Sequence, residues 1–189
     1  MALINLDQML IDQFKEKIVI GFDRYQDPRE LMLRATAESI GNLISAKADT
    51  LYHDLFHTVR VTLTMSEILR GKATVEPVSA DDWFNSIMAG IHHDVGLLRN
   101  LFNDDNHELG STGASLYPVH VERSMKFVME RYVNAFNIKA VADLIEYTQF
   151  PVPSGLDDHG SYGGLLRAAD YIGQFTDPNL RRMNVNLLS

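Results

Sequence analysis

Apolar residues recur along this chain at helical spacing and almost nowhere alternate in twos. Residues 5–19 predict a short helix that ends near Gly21. Over residues 27–47, Leu31, Ala35, Ile40 and Leu43 recur roughly every turn. That segment opens with Asp27-Pro28-Arg29-Glu30, which offers a capping aspartate, a proline at the first helical position and a glutamate in the first turn. A third helix is expected from about His53 to Arg70, stopped by Gly71. A linker with Pro77 follows, and Ser79-Ala80-Asp81-Asp82 caps a fourth helix reaching about Asp94. Residues 96–117 are rich in Gly, Asn, Asp and Ser and read mainly as a long loop. Pro118 opens a fifth helix to about Val133, and Asn137 caps a sixth that ends before Pro151-Val152-Pro153. Residues 154–163 read as a loop, residues 164–176 as a seventh helix, and Asp177-Pro178 as a further start. The chain stops soon after that start, which reads as a fragment or a missing terminal helix. Without strand-like alternation the expectation is all-α: an irregular bundle of seven or eight helices in one domain over residues 1–189, with its chemistry at the centre.

Composition narrows the class. With 46% hydrophobic residues over 189 positions, the chain can bury a sizeable core, about 70% of its unfolded surface. It has no cysteine, which excludes disulfides, thiolate zinc sites and cysteine nucleophiles. The formal net charge of -8, from 17 basic and 25 acidic residues, argues against bulk nucleic acid as a partner. No apolar run approaches the roughly 18 residues of a membrane span. The opening MALINLDQML carries an acid where a signal peptide carries Lys or Arg, so a cytoplasmic protein is expected. Two long loops, at about 96–117 and 151–163, are unusual in a compact helical domain and mark functional candidates.

Seven histidines carry the chemical argument. At about 100° per residue, a helix from His53 would set His53, His57, Arg60, Thr64 and Glu67 on one stripe. The rest of that helix is mostly apolar, so the stripe faces either water or a polar cavity. His93-Asp94 closes a helix approached through Ile87-Met88-Ala89-Gly90-Ile91. Such a pair is costly to bury unless it caps, pairs or binds a metal. Its imidazole and carboxylate donors suit borderline or hard divalent ions. His92 would point about 100° away and reads as packing. Asp170 sits mid-helix, where aspartate is a poor choice, with Arg167 one turn before it as a salt-bridge partner or a phosphate contact.

The order His57, then 35 residues, then His93-Asp94, then 75 residues, then Asp170 resembles the HD superfamily of metal-dependent phosphohydrolases. Tyr52-His53-Asp54-Leu55-Phe56-His57 is similar to the Tyr-His-Asn-x-x-His motif of the cyclic-nucleotide phosphodiesterase branch, with Asp54 in place of asparagine. Arg167-Ala168-Ala169-Asp170 resembles the small-Ala-Asp stretch of the last ligand in that branch. The resemblance spans about residues 50–178, with the N-terminal helices of about 5–47 only loosely comparable. It implies His57, His93, Asp94 and Asp170 as ligands of one or two divalent ions (Mn, Mg, Fe, Co, Ni or Zn), with Asp94 bridging if two bind. It also implies His53 as general acid, and a metal-bound hydroxide attacking a small phosphorylated substrate, a nucleotide or cyclic nucleotide among them. The chain departs from the branch where Leu98 replaces a histidine. His120 is then either a substitute near a second metal and the substrate or an exposed helix-start residue. Arg99 and His107 could close over a substrate or sit in a solvated loop, and His159 is expected to be incidental. The alternatives are a non-catalytic metal-containing sensor, or a di-iron oxygenase that would need His92 and His120 as further ligands. No P-loop or nucleophilic serine elbow is present.

Overall fold

A computed structural model describes residues 4–156 and 158–176. These residues form seven α-helices and no strand: α1 Leu6–Lys17, α2 Arg29–Lys47, α3 Leu55–Lys72, α4 Ala80–His92, α5 His120–Arg131, α6 Ile138–Glu146 and α7 Tyr162–Phe175. The expected all-α bundle is therefore the fold. The start at Asp177-Pro178 lies outside the described residues.

Side-chain caps set most helix starts. Asn5 accepts from the Gln8 amide, Asn137 from Ala140 and Ser161 from Gly164. Ser79 Oγ accepts from the Asp82 amide at 3.0 Å and donates to Asp82 Oδ2 at 2.6 Å, a reciprocal cap. Asp27 Oδ1 accepts from the Arg29 amide at 2.9 Å, with Pro28 as the boundary residue of α2. Two boundaries differ from expectation. Asp54 caps α3 by accepting from the His57 amide at 3.0 Å, so His53 lies before the helix rather than on it. Pro118 lies in a 3₁₀ stretch, Gly113–Val119, and α5 starts only at His120.

α4 runs through the middle of the bundle, packed against α2, α3, α6 and α7. Trp83, Phe84, Ile87, Met88, Ala89 and Ile91 are fully buried along it. Such burial is what holds a helix of only three to four turns in water. Beyond α4, a 3₁₀ turn at Val95–Leu97 abuts the start of α5. A Cβ on Gly96 would collide with the His120 carbonyl, so only glycine permits this approach. Ser124 Oγ closes the junction, accepting from the Gly96 amide at 2.9 Å and donating to the His93 carbonyl at 2.7 Å.

The segment between this turn and α5 is long but tied down. Arg123 donates to the Gly96 and Leu98 carbonyls and pairs with Asp105, whose carboxylate accepts from the Leu101 and Phe102 amides. Asp49 accepts from Arg99 and from the Gly113 amide at 2.7 Å. His107 accepts from the Asn100 amide. Arg99 is thus held by Asp49, from the segment before α3, and His107 by the Asn100 amide, and neither lines the cavity described below. No helix among the described residues is long and apolar enough to cross a membrane.

Candidate metal centre

Three helices converge on four side chains. His57 comes from the first turn of α3, His93 caps the end of α4, Asp94 follows it, and Asp170 lies in α7. His57 Nε2 is 3.2 Å from Asp94 Oδ2, 3.2 Å from Asp170 Oδ1 and 3.2 Å from His93 Nε2. His93 Nε2 is 3.1 Å from Asp94 Oδ2 and 4.0 Å from Asp170 Oδ1. The groups His57, His93, Asp170 and His53, His57, Asp94 each lie close enough to share a metal ion.

Hydrogen bonds around the cluster orient its donors. His93 Nδ1 faces the Gly90 carbonyl at 2.9 Å. A carbonyl can only accept, so Nδ1 carries a proton and Nε2 is the nitrogen turned to the centre. Asp54 fixes His57 through the α3 cap. An asparagine oxygen would cap equally well, which accounts for an aspartate at that motif position. Asp94 Oδ2 and His57 Nδ1 are buried without a hydrogen-bond partner. Buried polar atoms are rarely left so, and an unsatisfied carboxylate oxygen flanked by imidazole nitrogens is a donor set suited to a cation.

The electrostatics agree. Burial alone would depress His57, but pairing with Asp170 and Asp94 outweighs it and lifts the ring to about 10. His93 is raised too: burial opposes the shift, and Asp94 overcomes it. Burial would raise Asp94, yet His93, His53 and His57 hold it well below the usual carboxylate range. The pocket thus concentrates negative potential that protons partly neutralise, and a cation competes for the same place.

The cluster opens into a cavity of about 580 Å³. Asp94, Asp170, His53 and His120 face it at its inner end. His120 is buried rather than exposed. Its Nδ1 donates to the Tyr117 carbonyl at 2.5 Å, its Nε2 lies 3.7 Å from Asp94 Oδ1, and the Tyr117 ring stacks on it at 4.9 Å. His53 packs edge-on against Tyr52 and His57. Burial pushes it down to about 4 despite the opposing pull of Asp94.

Several expectations are corrected by packing. The polar stripe begins only at His57, because His53 precedes α3; along it His57 faces the cluster, Arg60 donates to the Gly173 carbonyl at 3.3 Å, and Glu67 is exposed. Arg167 neither pairs with Asp170 nor lines the cavity. Its Nε donates to the Tyr147 carbonyl and its Nη2 to the Leu156 carbonyl, both at 2.7 Å, tying the end of α6 to the following loop. His92 does pack, between the Met88 carbonyl and the Tyr132 hydroxyl. Leu98, where the phosphodiesterase pattern has histidine, is buried in the core.

Sequence reasoning missed Tyr117, Thr148, Phe150, Tyr171, Gln174 and Phe175, which form much of the wall. Gln174 follows Asp170 by one turn, and Tyr171 and Phe175 flank it, so a helical projection of α7 would have found them. Thr148 and Phe150 come from the segment after α6 and carry no local signal.

A family model described as Npun_R2479-like, a description that names no activity, matches residues 4–187. No curated protein and no solved structure matches the chain.

Proposed function

The chain belongs to the Npun_R2479-like family, and for it we propose a metal-dependent phosphohydrolase acting on a small phosphate ester, with nucleotides and cyclic nucleotides among the substrates that the motif order implies. One observation carries this reading: two imidazoles and two carboxylates converge, with Asp94 Oδ2 3.1–3.2 Å from both imidazoles, at the inner end of a cavity. The spacing supports a divalent ion: the donor atoms of His57, His93, Asp94 and Asp170 stand 3.1–4.0 Å from one another in the pairs His57–Asp94, His57–Asp170, His57–His93, His93–Asp94 and His93–Asp170, so these side chains would hold it. Asp94 turns Oδ2 to His57 and His93 and Oδ1 towards His120, which suits it to bridge two ions.

A divalent ion at such a site brings the pKa of an adjacent water near neutrality and offsets charge on the phosphoryl oxygens. The remaining work falls to the chain. His53 faces the cavity beside His57 and, in this reading, is the general acid that returns a proton to the leaving oxygen. Water attacks phosphorus directly, as no nucleophilic side chain stands in the motif. The di-iron alternative loses a required ligand, because both ring nitrogens of His92 are engaged elsewhere.

The test begins with elemental analysis of the purified chain, followed by a phosphatase and phosphodiesterase screen with Mn²⁺, Mg²⁺, Co²⁺ and Ni²⁺. Turnover in at least one pairing is expected. A metal-loaded protein inert across the panel would replace this reading with a sensor module. His53→Ala should keep metal and fold while losing about 10²–10⁴-fold in turnover. The loss should shrink for nitrophenyl esters, whose leaving groups need little protonation. Equal losses for good and poor leaving groups remove His53 from proton transfer.

A further inference from the structure

The two ends of the cavity differ in kind. The inner end holds Asp94, Asp170, His53 and His120, with Tyr52 and Tyr117 packed on these histidines. The exposed rim carries Phe150 and Phe175, and Tyr171 with the neutral polar Thr148 and Gln174 completes the lining. Phe150 and Phe175 line the cavity yet remain 61% and 70% exposed. Large rings left open at the rim of a polar site are apolar surface that a ligand can cover. Among the described residues, no lysine or arginine lines the cavity. Nearby cations are spent elsewhere, Arg167 on two carbonyls and Arg123 on Asp105.

These features set what the rest of the substrate can be. A phosphoryl group at the inner end draws its charge compensation there. A second anionic group further out would lie among aromatic side chains with no lysine or arginine of the described residues to pair with. Desolvating an unpaired anion in that position is unfavourable. A flat uncharged group would instead cover Phe150 and Phe175 and stack on the tyrosines. Resting on the phosphohydrolase reading, we infer that the substrate is an ester of a single phosphoryl group with a planar, uncharged organic part, and that polyphosphates and esters with a distal acid are rejected.

The experiment measures equilibrium binding to the full-length protein loaded with Mn²⁺, by calorimetry, using phosphonates that cannot be hydrolysed. Phenylphosphonate should bind at least tenfold tighter than methylphosphonate. 4-Carboxyphenylphosphonate should bind at least tenfold more weakly than phenylphosphonate, and Gln174→Lys should recover most of that loss. Combining Phe150→Ala with Phe175→Ala should bring the phenyl-to-methyl ratio below three. Reading a ratio keeps a general loss of metal or fold, which weakens both ligands alike, from imitating this result. Both rings are largely exposed, so truncating them leaves the core intact. Equal affinity for phenyl and methyl ligands, or a carboxylate ligand as tight as the phenyl one, overturns the substrate class while leaving the phosphohydrolase reading in place. A metal-loaded protein that binds none of the phosphonates overturns both.

Discussion

His92 and His93 are adjacent, both fully buried at the end of α4, and in opposite situations. His92 has a partner for each nitrogen, the Met88 carbonyl at 2.7 Å and the Tyr132 hydroxyl at 3.0 Å. Burial drives it down to about 4, with Arg131 and His93 pushing the same way, and no carboxylate faces it. His93 has one nitrogen on the Gly90 carbonyl and the other facing His57 and two carboxylates. Asp94 raises it against the effect of burial. Burial is the same on both sides of the helix. The difference is that the His92 side balances donors with acceptors, whereas the His93 side gathers an excess of acceptors. That excess, rather than the presence of histidine, marks a place for a cation.

Substitution on the two sides should therefore diverge, most of all in metal content. His93→Ala or Asp94→Ala should weaken metal binding by more than about 100-fold, since even outer partners of a ligand are worth about 10–100-fold. His92→Phe should keep its full complement by elemental analysis. Full metal in both His93→Ala and Asp94→Ala would sink the assignment. The next effect is on stability. Metal at 100 times its dissociation constant should add about 2.7 kcal/mol to unfolding, reversed by chelation. This gain should survive His92→Phe and vanish in His93→Ala.

His92→Phe should itself cost about 1–3 kcal/mol, because the Met88 carbonyl and Tyr132 hydroxyl lose their buried partner. It should also change the acid limb of stability. The folded ring titrates near 4, below the roughly 6.5 of an unfolded histidine. Between those values the unfolded chain binds a proton that the folded chain does not. The contribution of His92 is thus fully present above pH 6.5 and is lost as pH falls through 4. Denaturant titrations of the chelated protein from pH 7 to pH 4 should fall less steeply for His92→Phe than for the parent. The smallest effect belongs to Asp54. Asp54→Asn should alter stability by no more than a few tenths of a kcal/mol and leave metal bound, while Asp54→Ala should cost about 1 kcal/mol through the lost cap. A loss of metal in Asp54→Asn would mean that the carboxylate does more than position His57.

The two long segments read as loops show the same division between local and distant causes. Gly, Asn, Asp and Ser between residues 96 and 117 correctly signal the lack of a regular helix. They do not reveal that Asp105 and Arg123, far apart in sequence, clamp the segment to α5. Arg167 carries the same lesson in reverse. Its spacing from Asp170 suggests a pair, but the carbonyls of Tyr147 and Leu156 lie within reach and hold it. Phe150 enters the cavity wall although nothing in its neighbourhood distinguishes it from a residue beside a turn.

The sequence by itself determined the all-helical class, through apolar spacing and through caps such as Ser79 and Asn137, because these act within one or two turns of chain. It also determined the order His57, His93-Asp94, Asp170, because ligand chemistry restricts residue type. Only the tertiary structure decided that His93 faces the cluster while His92 faces Tyr132. It alone brought His120 against Asp94, withdrew Arg167 from the cavity and added Thr148 and Phe150 to its wall from the segment after α6. Those outcomes depend on which donors and acceptors meet across helices distant in the chain, and on how burial then sets their charge, so no local pattern encodes them.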